Sequence, residues 1–167
     1  LYSAFVYPTD DYYIKYLIEA GADPNYIKGY AFRVTVVKFW GIEQEKYLIE
    51  HGADVSQIDS EHYTDDIIEV GEVDKLQLLI DNGFVMTDTS YGGTPLYEAS
   101  GGTSWEMFNY ILDLTSPEDI NQQTDDGNTA LINALVSGEV RYVPQLLEAG
   151  ADPNIENNEG KSAMDFA

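Results

Sequence analysis

His51 and His62 are the side chains in this sequence best suited to proton transfer or metal binding near neutral pH. His62 is followed by Asp65 and Asp66 at helical-turn spacing, a trio that could hold a metal ion or support acid–base chemistry. A metal site needs more ligands in a closed arrangement than this trio supplies. His51 directly precedes Gly52 at the expected end of a helix, where a cation complements the helix dipole. We therefore expect structural roles for both histidines.

Other motifs that could support catalysis are incomplete. Residues 125–128, Asp-Asp-Gly-Asn, have the composition of the start of a calcium loop, but the later bidentate Glu is missing at the required spacing. The pair Gly92-Gly93 does not follow a strand pattern, so it does not predict a phosphate-binding loop. The chain has no cysteine, which excludes a thiolate metal site and a cysteine nucleophile. The sequence predicts a non-enzymatic protein with no catalytic residues, no cofactor and no metal.

The composition is that of a folded domain. The chain has 167 residues, of which 44% are hydrophobic and 13% aromatic, enough for one domain with a core. No apolar run approaches the ~20 residues that a membrane-spanning helix needs. The absence of cysteine fits a reducing compartment, so we expect a cytoplasmic protein.

Acidic residues dominate the charge. Thirty Asp and Glu against eight Lys and Arg give a net charge of −22 and a pI of about 4.1. Between Lys75 and Arg141 the sequence contains no basic residue. Such a field repels nucleic acid and anionic membranes and favours a basic protein partner. Two interpretations remain open for the acidic stretch: a solvated surface, or a docking surface for a basic partner.

A short phrase recurs along the chain at nearly constant spacing. Its copies are LIEAGADPN at 17–25, LIEHGADVS at 48–56, LLIDNGFVM at 78–86 and LLEAGADPN at 146–154. Their glycines lie 31, 31 and 67 residues apart, and a degenerate copy at 110–121 falls inside the longest interval. This period indicates stacked copies of one supersecondary unit that cannot bury its apolar face alone.

Each unit is predicted to contain two short helices. In the clearest unit, Thr129 is expected to cap the first helix, Gly138 to end it, and Gly150 to end the second helix. The first apolar stripe consists of Leu131, Ala134 and Leu135, and the second of Val140, Val143, Leu146 and Leu147. In the preceding unit the second helix is predicted over residues 105–112.

The pattern Asp-x-Gly-x-Thr-Pro-Leu-x-x-Ala, a glycine, and then Leu-Leu-x-x-Gly-Ala-Asp-x-Asn resembles the ankyrin repeat. Residues 126–154 match it well, as do residues 93–99. The resemblance implies an all-α repeat solenoid of paired antiparallel helices with projecting turns or hairpins, forming a single domain over residues 1–167. The expected units are approximately 1–27 (partial), 28–58, 59–88, 89–122, 123–155 and 156–167 (partial).

The middle units depart from this pattern. In the third unit the Thr-Pro-Leu position reads His62-Tyr63-Thr64, and Gly-Ala-Asp is replaced by residues 83–85, Gly-Phe-Val. The fourth unit has about two extra residues in 101–104, Gly-Gly-Thr-Ser. Irregular units indicate either a surface adapted to one partner or sequence drift, and both interpretations remain open.

The resemblance places the binding surface on the projecting turns and on the first helix of each unit. Carried over by position, the expected partner-binding residues on the turns are Tyr26, Lys28, Asp59, Glu61, Tyr91, Asp125, Asp126 and Asn128. Those expected on the helices are Trp40, Glu69, Tyr97 and Trp105. Aromatic side chains among acidic ones suit a recognition surface. Packing in the core is an equal alternative for the two tryptophans and Tyr97.

These observations favour a protein–protein interaction module. Its predicted function is that of an acidic binder or inhibitor, similar to an immunity protein, which neutralises a basic toxin or nuclease through its concave face. The alternative is a scaffold or host-interaction effector module from a longer ankyrin repeat protein. We expect a monomer in the absence of the partner, with no direct binding to nucleic acid or membranes.

Overall fold

The computed structural model describes residues 12–26, 41–87 and 92–167. Within these ranges the regular structure is entirely helical, with no strand. The α-helices are α1 (Tyr12–Glu19), α2 (Ile42–Glu50), α3 (Ser60–Val70), α4 (Val73–Asp81), α5 (Pro95–Ser100), α6 (Trp105–Leu114), α7 (Ala130–Val136) and α8 (Val143–Glu148). Short 3₁₀ turns cover Val55–Gln57, Val140–Tyr142 and Ala163–Asp165. None of the described helices has the length and apolar character required to cross a membrane.

The helices pack in two layers. The first helices of successive units contact one another, α3 against α5 and α5 against α7. The second helices form a parallel series of contacts, α2 against α4 and α4 against α6. Since α5 also packs on α6 and α7 on α8, each pair shares one core with the next pair. This arrangement is the predicted all-α repeat solenoid of paired helices.

Apolar periodicity and capping explain the helix positions. The hydroxyls of Thr94, Ser104 and Thr129 accept hydrogen bonds from backbone N–H groups in the first turns of α5, α6 and α7. Behind each cap, the inward face is fully buried; Leu96 and Phe108 are examples. Each buried side chain of this size contributes roughly 1.5–3 kcal/mol.

The recurring Gly-Ala-Asp phrase ends the second helices. Gly52 and Gly150 adopt φ values of 91° and 102°, a left-handed conformation that favours glycine. The residue after each glycine then donates its N–H to a carbonyl of the last helical turn; for Ala151 the acceptor is Leu146 at 2.9 Å. The phrase is therefore a helix stop, as the sequence predicts.

The asparagine at the end of the phrase has a further role that the sequence did not indicate. Asn25 donates from Nδ2 to the Gly52 carbonyl at 2.9 Å and accepts from the Asp54 N–H at 2.6 Å. Asn121 makes the same two contacts with Gly150 and Asp152, at 3.1 and 2.8 Å. These asparagines therefore connect the turns that follow the second helices of successive units. We call these turns the corners.

Two local predictions for the fifth unit were wrong. Its second helix does not run continuously from Val140, because Pro144 lies at the start of α8 and lacks the N–H that a helix interior needs. A 3₁₀ turn precedes the helix instead. Within the predicted stripe Leu146 is fully buried, whereas Val140 is 63% and Leu147 45% exposed. In the fourth unit, α6 extends two residues beyond its predicted end, to Leu114.

Candidate functional site

An open pocket of about 460 Å³ lies where the first helices of three successive units meet. Its lining residues, which we call the acidic pocket, are Asp65, Ile68, Glu69, Tyr97, Glu98, Gly101, Gly102 and Asn133. Three of them carry a carboxylate, and among the described residues no Lys or Arg lines the pocket. The packing of α3 against α5 and of α5 against α7 therefore concentrates negative charge at one place.

Asp65 is the carboxylate most perturbed by this environment. Burial, and then the nearby charges of Glu98 and Asp66, raise the pKa of Asp65 to about 6, while His62 acts in the opposite direction. Its Oδ1 atom is shielded from solvent and receives no hydrogen bond from the described residues. At neutral pH the pocket thus holds an ionised carboxylate oxygen to which no described residue donates a hydrogen bond.

Tyr97 forms the aromatic side of the pocket, and its position is fixed at several atoms. Its N–H donates to the Thr94 hydroxyl at 3.1 Å, and its carbonyl accepts from Asn133 Nδ2 at 2.7 Å. The Asn128 side chain hydrogen-bonds to the phenol, while burial and the charges of Glu98 and Asp126 raise the phenol pKa. Of the sequence-predicted residues, the structure therefore brings Tyr97 and Asn128 together.

Glycines shape the part of the pocket that follows α5. A Cβ atom at Gly101 would lie 2.9 Å from Asn133 Nδ2, the atom that holds the Tyr97 carbonyl. Gly102 has a φ of 132°, which disfavours other residue types. The Gly-Gly segment that the sequence predicted to be irregular thus gives the pocket its opening.

Among the projecting turns that the sequence predicts to bind a partner, the turn before α7 has the most clearly defined hydrogen bonds. The Asp126 carbonyl accepts from the Asn158 N–H at 3.0 Å, and the Asp125 carbonyl accepts from Asn158 Nδ2 at 2.8 Å. Asn128 accepts from Asn157 Nδ2 at 2.8 Å. The backbone of this turn is therefore hydrogen-bonded to the next projecting turn, while the side chains of Asp125 and Asp126 remain exposed.

The start of the third unit differs from the sequence-based expectation. His62 was assigned to the capping position, but α3 begins at Ser60 with Asp59 as its N-cap. Asp59 and Glu61 therefore lie at the start of the helix and not on a projecting turn; both are exposed. His62 Nδ1 is 3.2 Å from Asp59 Oδ2. These three residues could together offer ligand atoms to a metal ion, in place of the trio with Asp65 and Asp66, but all three are exposed.

The remaining predicted site residues are separated from the pocket or lie outside the described residues. Tyr26 is 50% exposed in the turn after α1. Trp105 opens α6 and is 38% exposed, although its ring stacks on Tyr142 at 5.9 Å. The positions outside the described ranges are Lys28, Trp40 and Tyr91. Of the predicted residues, Glu69 and Tyr97 line the pocket itself.

Sequence reasoning missed Glu98 and Asn133 and gave Asp65 another role. Glu98 and Asn133 each lie four residues after a capping threonine, so they occupy equivalent positions in successive units. Aligning the copies on their caps would have shown that this position varies between them. His51, by contrast, lies where it was predicted, at the end of α2, with Nδ1 2.8 Å from the Tyr47 carbonyl.

A second acidic depression shows why the pocket is distinctive. The depression, of about 370 Å³, lies beside the start of α4 and includes Glu72, Asp74 and Glu106. It also contains Lys75, whose fully buried side chain has its Nζ 2.9 Å from Glu72 Oε2. A lysine of the described residues therefore lines this depression, whereas no described Lys or Arg lines the acidic pocket.

Comparison with known proteins agrees with this architecture. The ankyrin repeat family model matches residues 126–158. The fold of the chain is similar to the crystal structure of EF0377, described as an ankyrin repeat protein, with a TM-score of 0.76 and 25% sequence identity over 99% of this chain and 88% of that one. No curated protein sequence matches the chain. Ankyrin repeats are typically non-enzymatic scaffolds that bind other proteins, so these matches indicate a protein–protein interaction module. The family match within residues 126–158 and the fold shared with EF0377 together support the resemblance of the chain to ankyrin repeat proteins.

Proposed function

We propose that the chain is an acidic binder that neutralises a basic protein, in the manner of an immunity protein acting on a toxin or nuclease. The observation that supports this function is the acidic pocket, which presents three carboxylates on the first-helix layer of a chain with a net charge of −22. A basic active site that receives phosphates would be attracted to and blocked by such a surface.

The proposed mechanism has two stages. Exposed acidic side chains on the projecting turn before α7 and at the start of α3 attract the partner over long range and raise the association rate. Residues that contribute to this stage are Asp59, Glu61, Asp125 and Asp126, all of them exposed. Contacts around Tyr97 and the acidic pocket then slow dissociation, because desolvated aromatic and charged contacts near the centre of an interface carry most of the binding energy. The free chain is proposed to be a cytoplasmic monomer.

The test begins with capture of the partner and then measures function. The immobilised chain is used to isolate a binding protein from an extract of the source organism, and the purified partner is assayed for association rate, Kd and its own activity. We expect a basic partner whose activity is abolished at a 1:1 ratio and whose association slows steeply between low and high salt. A partner that binds without loss of activity would favour the scaffold alternative.

Charge reversal tests the surface. Changing Asp59, Glu61, Asp125 and Asp126 together to Lys is expected to lower the association rate by about tenfold or more. The matched control reverses four exposed acids on or after the second helices, namely Asp81, Asp113, Glu118 and Glu148. Equal effects of the two variants, or binding that is insensitive to salt, would contradict the proposal.

A further inference from the structure

The corner after α4 contains the one asparagine in the sequence that is followed directly by a glycine. Asn82 is the residue after the last turn of α4, and Gly83 is the glycine of that corner. At the other glycine corners the preceding residue is Ala20, His51 or Ala149. We propose that Asn82 is a site of spontaneous deamidation in the folded chain, favoured by the weak attachment of this corner to its neighbour. The modification goes beyond the proposed function and needs no partner.

The reaction requires only the two residues and water. The Gly83 nitrogen loses its proton and attacks the side-chain carbonyl carbon of Asn82. The Cγ–Nδ2 bond breaks, and the amide group leaves with the electron pair of that bond and takes up the proton as ammonia. Water then opens the resulting succinimide ring at either carbonyl, which leaves an aspartyl or an isoaspartyl residue at position 82. One water enters, one ammonia leaves, and nothing is oxidised or reduced. Glycine favours the attack because it has no side chain to obstruct it.

The reacting groups of this corner are accessible but held in place. Asn82 and Gly83 are exposed, and a Cβ atom on Gly83 would meet no other described residue beyond its chain neighbours within 4 Å. Asn82 Nδ2 donates to the Leu78 carbonyl at 2.8 Å, and the Gly83 N–H donates to the Ile80 carbonyl at 3.0 Å. Both bonds must break before the nitrogen can attack. The reaction therefore proceeds when the last turn of α4 opens locally.

The corner after α2 provides a matched reference for this opening. His51 has φ −101° and ψ 20°, and Asn82 has φ −104° and ψ 15°. The glycines that follow, Gly52 and Gly83, have φ values of 91° and 97°. The side chain of Asn25 makes two hydrogen bonds to the first corner, whereas among the described residues no side chain makes such contacts with the second. The last turn of α4 should therefore open more often than that of α2.

Deamidation is expected to weaken the third repeat. The new carboxylate lies at the C-terminal end of α4, where the helix dipole disfavours a negative charge, and it adds one charge to a net charge of −22. An isoaspartyl residue also lengthens the main chain by one carbon just before the segment that positions Phe84. That side chain is buried, 4% exposed, against Tyr63. The modified chain should therefore unfold at a lower urea concentration than the unmodified chain.

The experiment locates the reaction along the chain. The folded chain is incubated at mildly alkaline pH in water enriched in heavy oxygen and digested at acidic pH, and peptide mass spectrometry finds the incorporated oxygen. We expect most of the label at position 82 and little at Asn158, which is also exposed but precedes Glu159. Asn82→Ala should remove the label. His51→Asn places the same dipeptide at the reference corner and should react about fivefold or more slowly than Asn82, because two further hydrogen bonds must break.

Two results would overturn the inference. One is an absence of label at position 82 in the folded chain when the urea-unfolded chain acquires it there, and the other is an equal rate at positions 51 and 82. Asn25→Ala in the His51→Asn background should raise the rate at position 51. If these variants do not fold, amide hydrogen exchange on the unmodified chain decides the matter. The Gly83 N–H should exchange faster than the Gly52 N–H, and equal or slower exchange at Gly83 would contradict the proposal.

Discussion

The third repeat (described over residues 59–87) and the fifth repeat (residues 123–155) have the same architecture but satisfy their buried polar groups differently. In the third, the buried polar atoms without a hydrogen-bond partner among the described residues are Tyr63 OH, Thr64 Oγ1 and Asp65 Oδ1. The corresponding atom in the fifth is Gln145 Oε1. Unsatisfied buried groups lower stability, and they also offer positions that a ligand can satisfy. The comparison teaches that the regular repeat stabilises the stack and the irregular one supplies the candidate binding chemistry.

The helix corners show the same contrast. The corner of the fifth repeat receives two hydrogen bonds from Asn121, whereas among the described residues no side chain makes equivalent contacts with the corner at Gly83. In the third repeat Phe84 replaces the alanine of the phrase and is buried, 4% exposed, against Tyr63 with a ring separation of 5.5 Å. One corner is thus joined to its neighbour by hydrogen bonds and the other is held by apolar packing.

The largest effect is expected from breaking the hydrogen-bonded corner. Asn121→Ala removes both contacts with Gly150 and Asp152, which at ~0.5–1.5 kcal/mol each should lower the free energy of unfolding by about 1–3 kcal/mol. Urea unfolding followed by circular dichroism measures this loss. The control is Asn154→Ala, whose side chain donates to Asp152 within its own corner and makes no bond to another corner of the described chain, so it should change stability by less than ~0.5 kcal/mol. Equal losses in the two variants would contradict a bridging role.

Two buried tyrosines, Tyr63 in the third repeat and Tyr142 in the fifth, allow a direct test of the difference between these repeats. Tyr142 is fully buried, stacks on Phe108 at 3.9 Å and donates its hydroxyl to the Thr103 carbonyl at 2.5 Å. Tyr63 is also buried, but its hydroxyl has no hydrogen-bond partner in the described part of the chain. Tyr142→Phe should therefore destabilise the chain by about 0.5–1.5 kcal/mol, whereas Tyr63→Phe should be neutral or stabilising. Thermal and urea unfolding of both variants measure the difference, and a larger loss for Tyr63→Phe would show that the contrast is wrong.

The contrast also explains how much the sequence could predict. Helix caps and glycine corners depend on local residue types, so Thr129, Gly138 and Gly150 predicted the fifth repeat correctly. Two parts of that repeat depended on less local effects. Pro144 shifted the start of α8, and the corner-to-corner contact of Asn121 spans about one repeat.

The pocket was only partly predictable because three units build it. Glu69 and Tyr97 were selected by position, whereas Asp65 was grouped with His62 because the two lie close in the sequence. In the fold, Asp65 lines a pocket with Glu98 and Asn133, from the next two first helices. Such a juxtaposition depends on how the units stack, and a single repeat does not encode it. The misplaced start of α3 added to the error, since its helix begins at Ser60 instead of after His62.

The smallest expected effect concerns the pH dependence of the irregular repeat. Folding raises the Asp65 pKa from 3.8 to about 6, so the folded state binds its proton more tightly than the unfolded state does. The stabilising contribution of the protonated form is fully present below pH 4 and is lost as the pH rises through 6. Asp65→Asn keeps the side chain neutral, so the variant should be slightly more stable than the unmodified chain at pH 7.5. This advantage should shrink between pH 6 and pH 4. It should be modest, because solvent screens a partly exposed carboxylate.

Urea midpoints at pH 4.5, 6 and 7.5 measure this advantage in stability, and Glu118→Gln, which removes one charge from an exposed loop, reports the general effect of lowering the net charge. An advantage of Asp65→Asn that is the same at all three pH values, or no larger than that of Glu118→Gln, would mean that the pocket does not perturb Asp65. The third repeat would then differ from the fifth only in its packing.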